Sequence, residues 1–137
     1  MAKQNLFTKY AYTPAICWGI LIVYFSLMPG NEVPSLLKNM QDAGLHFAIY
    51  AIFGLLLYLA ATAFQLQPIS NSLALIIFAF GSLLGFIIEI LQEQMIDGRT
   101  FEWGDVVANM AGCSVVFLMN VFARKKSTKT TDSKFVA

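Results

Sequence analysis

Residues 47–88, FAIYAIFGLLLYLAATAFQLQPISNSLALIIFAFGSLLGFII, form an unbroken run of 42 without Asp, Glu, Lys, Arg or His. A membrane-crossing helix needs about 20 predominantly apolar residues, so the run is long enough for two. It is cut once, at Gln65-Leu66-Gln67-Pro68-Ile69-Ser70-Asn71-Ser72, where Pro68 lacks a backbone N–H and Ser70 or Asn71 can cap a new helix. Uncharged runs of 22 (residues 10–31) and 18 (residues 106–123) lie on either side, each suited to one span. The pattern predicts an all-α, four-helix transmembrane bundle with spans at 11–28, 43–64, 71–94 and 104–123. Residues 1–123 then make one membrane domain, and 124–137, basic and polar, are expected to be a disordered tail.

Composition supports this class. Of the 137 residues, 58% are apolar and 12% charged, against roughly 45–50% and about 25% in soluble domains. Twelve Phe, five Tyr and two Trp exclude a disordered chain. Lys3 and Lys9 precede the first run as in a signal peptide, but the run exceeds the h-region limit of about 15 residues and no small-x-small site follows Leu27. Cys17 and Cys113 fall inside predicted spans, where packing accounts for them. There is no internal repeat, no metal-finger spacing, no glycine-rich phosphate loop and no basic pattern pointing to nucleic acid; no cofactor or metal is expected. Asp97-Gly98 reads as a turn.

Seven of the nine basic residues (Lys3, Lys9, Arg124, Lys125, Lys126, Lys129, Lys134) lie in the tails. Four spans put both tails on one side, and the positive-inside bias makes that side cytoplasmic, in a multi-pass protein of the inner membrane. Seven of the eight acids, with His46 and Arg99, then gather at the outer ends of the helices.

Helical spacing orders these polar residues. Asp42, His46, Tyr50 and Gly54 recur every four residues and share a face, as do Gly81, Gly85 and Glu89 with Gln92 following, and Asp105, Asn109 and Gly112. Gly81 with Gly85, and Ala108 with Gly112, are small pairs of the kind that let membrane helices approach closely. Three packing faces thus run outward into polar residues, the pattern of a buried site made of Asp42, His46, Tyr50, Glu89, Gln92, Arg99, Asp105 and Asn109. For several of these a plainer role competes: Asp42 and Asp105 as helix-start acids, Arg99 and Asp97 as solvated loop charges, Asn109 as interhelical glue and His46 as a satisfied core histidine. Glu32, Lys38, Glu93 and Glu102 read as surface charge, and Phe101 and Trp103 as interface anchors.

Glu89 lies about one turn inside its helix end, where an unpaired carboxylate is costly. Asp42, one turn from His46, is placed to hold the imidazole tautomer. Three carboxylates facing one fixed cation leave three solutions: a proton on Glu89, Arg99 bridging Glu89 and Asp105, or a divalent cation among the oxygens and His46. The Arg99 bridge is favoured, because a planar guanidinium can hold two carboxylates. A metal is favoured least, since hard cations want around six oxygens and Zn usually wants more nitrogen or sulfur than one His supplies.

The order Asp42-x-x-x-His46-Phe47-x-x-Tyr50, Glu89-x-x-Gln92, Arg99-x-x-x-x-x-Asp105-x-x-x-Asn109-x-x-Gly112, preceded by Phe25-Ser26-Leu27-Met28-Pro29-Gly30, resembles the VanZ-like family over about residues 24–112. It departs at Ala43, where that family often has Lys. The resemblance implies a small membrane protein of the bacterial cell envelope. The founding member is an accessory protein of teicoplanin-type glycopeptide resistance, although most relatives occur without resistance genes. Three roles follow as expectations. One is binding or acting on a lipid-linked or envelope substrate, with Glu89 and His46 as acid and base and Arg99 holding an anionic group. The others are structural partner of an envelope enzyme and small transporter subunit. Ser26 and Ser82 have no basic neighbour in sequence and are poor nucleophiles. Substrate, catalysis and oligomeric state are not legible at this level.

Overall fold

The computed structural model describes residues 10–29, Glu32 and residues 43–135, with side chains as far as Ser127. Among these residues five helical segments follow one another: α1 Thr13–Ser26, α2 Ala43–Ala61, α3 Asn71–Met95, α4 Trp103–Cys113 and α5 Val115–Phe135. The start of α3 is set locally, by the Ser70 side chain accepting from the Leu73 N–H at 3.1 Å, which satisfies one of the orphan donors of a helix start. Between α4 and α5 a single turn residue, Ser114, breaks the ladder, its hydroxyl donating to the Ala111 carbonyl at 2.6 Å. Such back-bonding offers the backbone an alternative partner and bends a helix.

Among the described residues three stretches are long and apolar enough to cross a membrane: Ala43–Ala61, Asn71–Met95 and Trp103–Ser127. The first predicted span comes out shorter than expected. Pro14 stands in the first turn of α1 and Leu27 caps its end just before Pro29, leaving 14 residues, about 21 Å of helix against a hydrocarbon layer of about 30 Å. At the other end of the chain the helix outruns expectation. The backbone stays helical from Arg124 as far as Phe135, where composition predicts a disordered tail. A helix already formed needs no new nucleus, Arg and Lys propagate it well, and Arg124 is tied down by its Nη2 donating to the Ile69 carbonyl and to Asn71 Oδ1.

Side-chain contacts give the helix directions. At one end Gln92 Nε2 donates to the Ser26 carbonyl (2.9 Å), the Glu102 N–H donates to Glu89 (3.1 Å), and His46 meets Asp105 and Asn109. The ends of α1 and α3 therefore lie beside the starts of α2 and α4. At the opposite end Asn120 clasps Ile69 twice, accepting its N–H at 2.9 Å and donating to its carbonyl at 3.1 Å. α1, α2 and α3 alternate up and down, and α4 runs on into α5 through Ser114 as one stretch antiparallel to α3, which makes an antiparallel bundle.

Only 28%, 33% and 44% of the residues in the three apolar windows are buried, so each helix presents an open apolar face, such as Leu75, Ile76, Leu83 and Ile87 on α3. In water such faces would drive aggregation; in lipid they are simply solvated. The buried core divides into two groups. Tyr58, Ile69, Ala74, Ile77, Val116 and Ala123 lie towards the Asn120 end, and Ile22, Tyr50, Phe53, Ile88 and Cys113 nearer the His46 end.

Close approach is made by glycine. A Cβ on Gly112 would run into the Phe47 carbonyl oxygen and stand 2.8 Å from the Ala51 nitrogen, both backbone atoms of α2. Cβ atoms on Gly81 and Gly85 would meet Cys113 Sγ at 2.5 Å and Asn109 Cβ at 2.9 Å. Gly112→Ala should therefore destabilise the bundle by about 1–3 kcal/mol, the usual cost of overpacking, because backbone cannot step aside. Gly104→Ala, with nothing within 4 Å of the added atom, should stay within about 0.5 kcal/mol of wild type. Unfolding in mixed detergent micelles, followed by helical circular dichroism, measures both.

Candidate functional site

The site grows out of the α2–α4 crossing. Gly112 lets α4 lie against α2, and one turn away Asn109 packs on Gly85 of α3. His46 projects from α2 between two residues of α4: its Nε2 is 3.3 Å from Asp105 Oδ2 and its Nδ1 is 3.2 Å from Asn109 Oδ1. Asp105 and Asn109 stand four residues apart and so share a face, one holding each nitrogen of the ring.

Glu89 completes the group from α3. It is 2% exposed. Its Oε1 accepts the backbone N–H of Glu102, the N-cap residue of α4, and its Oε2 has no hydrogen-bond partner. Two carboxylates, Asp105 in the first turn and Glu89 at the cap, thus gather at the start of α4, the end where the helix dipole favours anions. Ligand atoms of His46, Glu89 and Asp105 all lie within 4.8 Å of one another, a spacing from which a metal ion could be held.

Two further predicted residues flank this group. Tyr50, one turn from His46, is 3% exposed and its hydroxyl has no partner. Gln92, one turn beyond Glu89, is 2% exposed; its amide nitrogen is used by Ser26 but its Oε1 is unmatched. Asp42 lies outside the described residues. Arg99 is half-buried in the turn after Gly98, whose φ of +80° matches the turn expected at Asp97-Gly98.

The expected Arg99 bridge does not form: among the described residues no ion pair joins Arg99 to Glu89 or Asp105. The Glu102 N–H takes one Glu89 oxygen and His46 takes Asp105, so the carboxylates are drawn to partners closer than the loop. Ser82 Oγ is buried without a hydrogen-bond partner.

Several contacts escaped the sequence. Among the described residues the carboxylate facing His46 is Asp105 of another helix, although the Asp105-x-x-x-Asn109 spacing matched to a lone histidine carried that signal. The backbone donor to Glu89 and the Trp18 indole, which donates to the Ile49 carbonyl at 3.1 Å, leave no trace in residue type. No family model matches the chain, and neither a curated protein nor a solved structure matches it.

The geometry separates two kinds of pair. A double-mutant cycle on His46→Ala and Asp105→Ala should return a coupling of about 0.5–3 kcal/mol, as for residues in direct contact, whereas Arg99→Ala combined with Glu89→Gln should add within about 0.5 kcal/mol. Stability in detergent reads both cycles.

Proposed function

We propose that this chain is a VanZ-like integral membrane protein of the bacterial cell envelope whose polar cluster binds, or acts on, a polar group of a lipid-linked or envelope substrate. The observation that carries the reading is the set of open polar groups: Glu89 Oε2, Gln92 Oε1 and the Tyr50 hydroxyl, each buried and without a partner. Buried polar atoms in native proteins are nearly always hydrogen-bonded, so three exceptions on facing helices support a ligand with donors to match them. In such a site Glu89 and His46 are the acid and base, and Arg99 at the rim holds an anionic group. A link to teicoplanin-type resistance rests on the family resemblance alone.

The orientation we infer has both tails in the cytoplasm, the cluster opening outward, and the protein in the inner membrane. The up-and-down order of the helices supports tails on one side, and the basic residues around Arg124 support the side. One observation favours a purely structural role as partner of an envelope enzyme: His46, Asp105 and Asn109 engage one another across the helix crossing, as interhelical glue does.

Two measurements test these readings. Protein purified from its own membranes in mild detergent should carry an envelope lipid or lipid-linked species detectable by mass spectrometry. Its yield should fall by about tenfold or more in Glu89→Gln, the loss expected from one charged hydrogen bond. An unchanged lipid profile in a well-folded Glu89→Gln protein would favour the structural role. Single cysteines at Lys38 and Ser127, with Cys17 and Cys113 replaced, should label from outside and inside the cell respectively.

A further inference from the structure

We propose that His46, Glu89 and Asp105 bind a divalent transition-metal ion, Mn²⁺ or Zn²⁺. The inference rests on reading this cluster as a binding site, but it needs no organic substrate.

The imidazole supplies the first argument. Its Nδ1 faces Asn109 Oδ1 at 3.2 Å and its Nε2 faces Asp105 Oδ2 at 3.3 Å. A neutral ring carries one N–H. A neutral ring of either tautomer therefore leaves one lone pair facing an oxygen, Asp105 Oδ2 or Asn109 Oδ1, and a cation on the Asp105 side, with Nδ1–H given to Asn109, relieves that contact as a second ring proton would. A metal-bound histidine has the same arrangement: one nitrogen on the ion, and the other N–H held by a fixed acceptor that sets tautomer and ring angle. Asn109, 2% exposed and wedged against Gly85, is that fixed acceptor.

Glu89 supplies the second. Its Oε2 is buried and unmatched, on a side chain 2% exposed, and its carboxylate lies in the 4.8 Å group. A metal bonded at about 2.0–2.2 Å holds its ligand atoms about 4.4 Å apart when they are trans and about 3.4 Å apart in a tetrahedral shell, so side-chain shifts of about 0.4–1.4 Å close the group.

Charge supplies the third. Two carboxylates and a neutral imidazole carry −2, which one divalent cation cancels in a medium where net charge is expensive. The objections raised from sequence, one histidine and too few oxygens, apply to a closed site. Three protein ligands with further positions left open are the arrangement of a reactive metal site, in which solvent or substrate oxygens complete the shell. The nitrogen ligand selects against Mg²⁺ and Ca²⁺, and a set without thiolate selects against Cu⁺.

The experiment uses the full chain in detergent, stripped with EDTA and dialysed against Mn²⁺ or Zn²⁺ separately. Bound metal should approach one ion per chain by elemental analysis in at least one arm. Affinity should fall at least about tenfold in His46→Ala, Glu89→Gln and Asp105→Asn, the lower end of what even outer-shell changes cost, with Glu32→Gln unaffected. Should the variants fold poorly, Mn²⁺ bound to wild type must show electron–nuclear coupling to one imidazole nitrogen, His46 being the only histidine in the chain. No retained ion in either arm, retention equal in all folded variants, or bound Mn²⁺ without nitrogen coupling would overturn the proposal. Metal binding without a co-purifying lipid would leave this proposal standing and remove the substrate reading; the reverse result would do the opposite.

Discussion

No side chain fits between α2 and α4 where Gly112 faces the Phe47 carbonyl and the Ala51 nitrogen, and the rest of the bundle follows from that exclusion. With the two backbones nearly touching, residues one and two turns towards the end of the bundle must meet. Those residues are His46 on one side and Asn109 and Asp105 on the other. Lipid tails give helices no hydrophobic reason to associate, so packing and interhelical hydrogen bonds must hold them. Gly81 and Gly85 repeat the device on α3, receiving Cys113 and Asn109. Asn109 is thus packed by one helix and hydrogen-bonded by another, and a larger residue at Gly85 would displace it from the imidazole.

Two clusters of polar side chains stand towards opposite ends of the bundle, and they differ in kind. Near its tail end, Asn120 satisfies both backbone groups of Ile69, Arg124 adds a bond to the same carbonyl and to Asn71, and Tyr58 donates to the Gln67 carbonyl at 2.7 Å. This cluster closes on itself and pins a connection in which Ala63, Phe64 and Leu66 all hold positive φ, conformations that non-glycine residues adopt only when their surroundings compel it. At the opposite end the bonds run out before the polar atoms do. The first cluster accounts for a fold; the second holds more acceptors than a fold requires.

Much of this was legible in the sequence because membranes enforce simple patterns. Charge-free runs marked the apolar helices, and i, i+4 stacks put His46 with Tyr50, Glu89 with Gly85, and Asp105 with Asn109 on shared faces. What escaped was set by partners rather than by patterns. Residue spacing along the chain pointed to Asp42, which lies outside the described residues, as a carboxylate for His46; periodicity orders residues along one helix and is silent about a neighbour's face, so the contact with Asp105 was not foreseen. The guanidinium of Arg99 looked like the natural mate of two carboxylates because residue lists omit the backbone, and the N–H of Glu102 occupies one of those oxygens. The shortness of α1 was hidden for a related reason: hydropathy continues through Leu27 and Met28, whereas the ladder ends at Ser26. The helix through Arg124 was obscured because charge and Ser/Thr content describe solvation, not the continuity of hydrogen bonds already formed.

The magnitudes explain why the outer cluster is incomplete as it stands. A helix start favours a nearby anion by up to about 2 kcal/mol, and a hydrogen bond to a charged group contributes about 1.5–3 kcal/mol. Burying an ion costs several kcal/mol even after relaxation. For one carboxylate these quantities roughly balance at their upper limits. Here two carboxylates, Asp105 and Glu89, draw on the same helix start, and each weakens what the dipole can do for the other. Asp105 has the imidazole beside it, but Glu89 has one backbone N–H and an oxygen with nothing opposite. That shortfall falls on Glu89 rather than being shared, because His46 is already engaged by Asp105 and Asn109 and Arg99 makes no ion pair with it. A cation, a proton or the donors of a bound headgroup must supply the balance, and the atom that receives it is Glu89 Oε2.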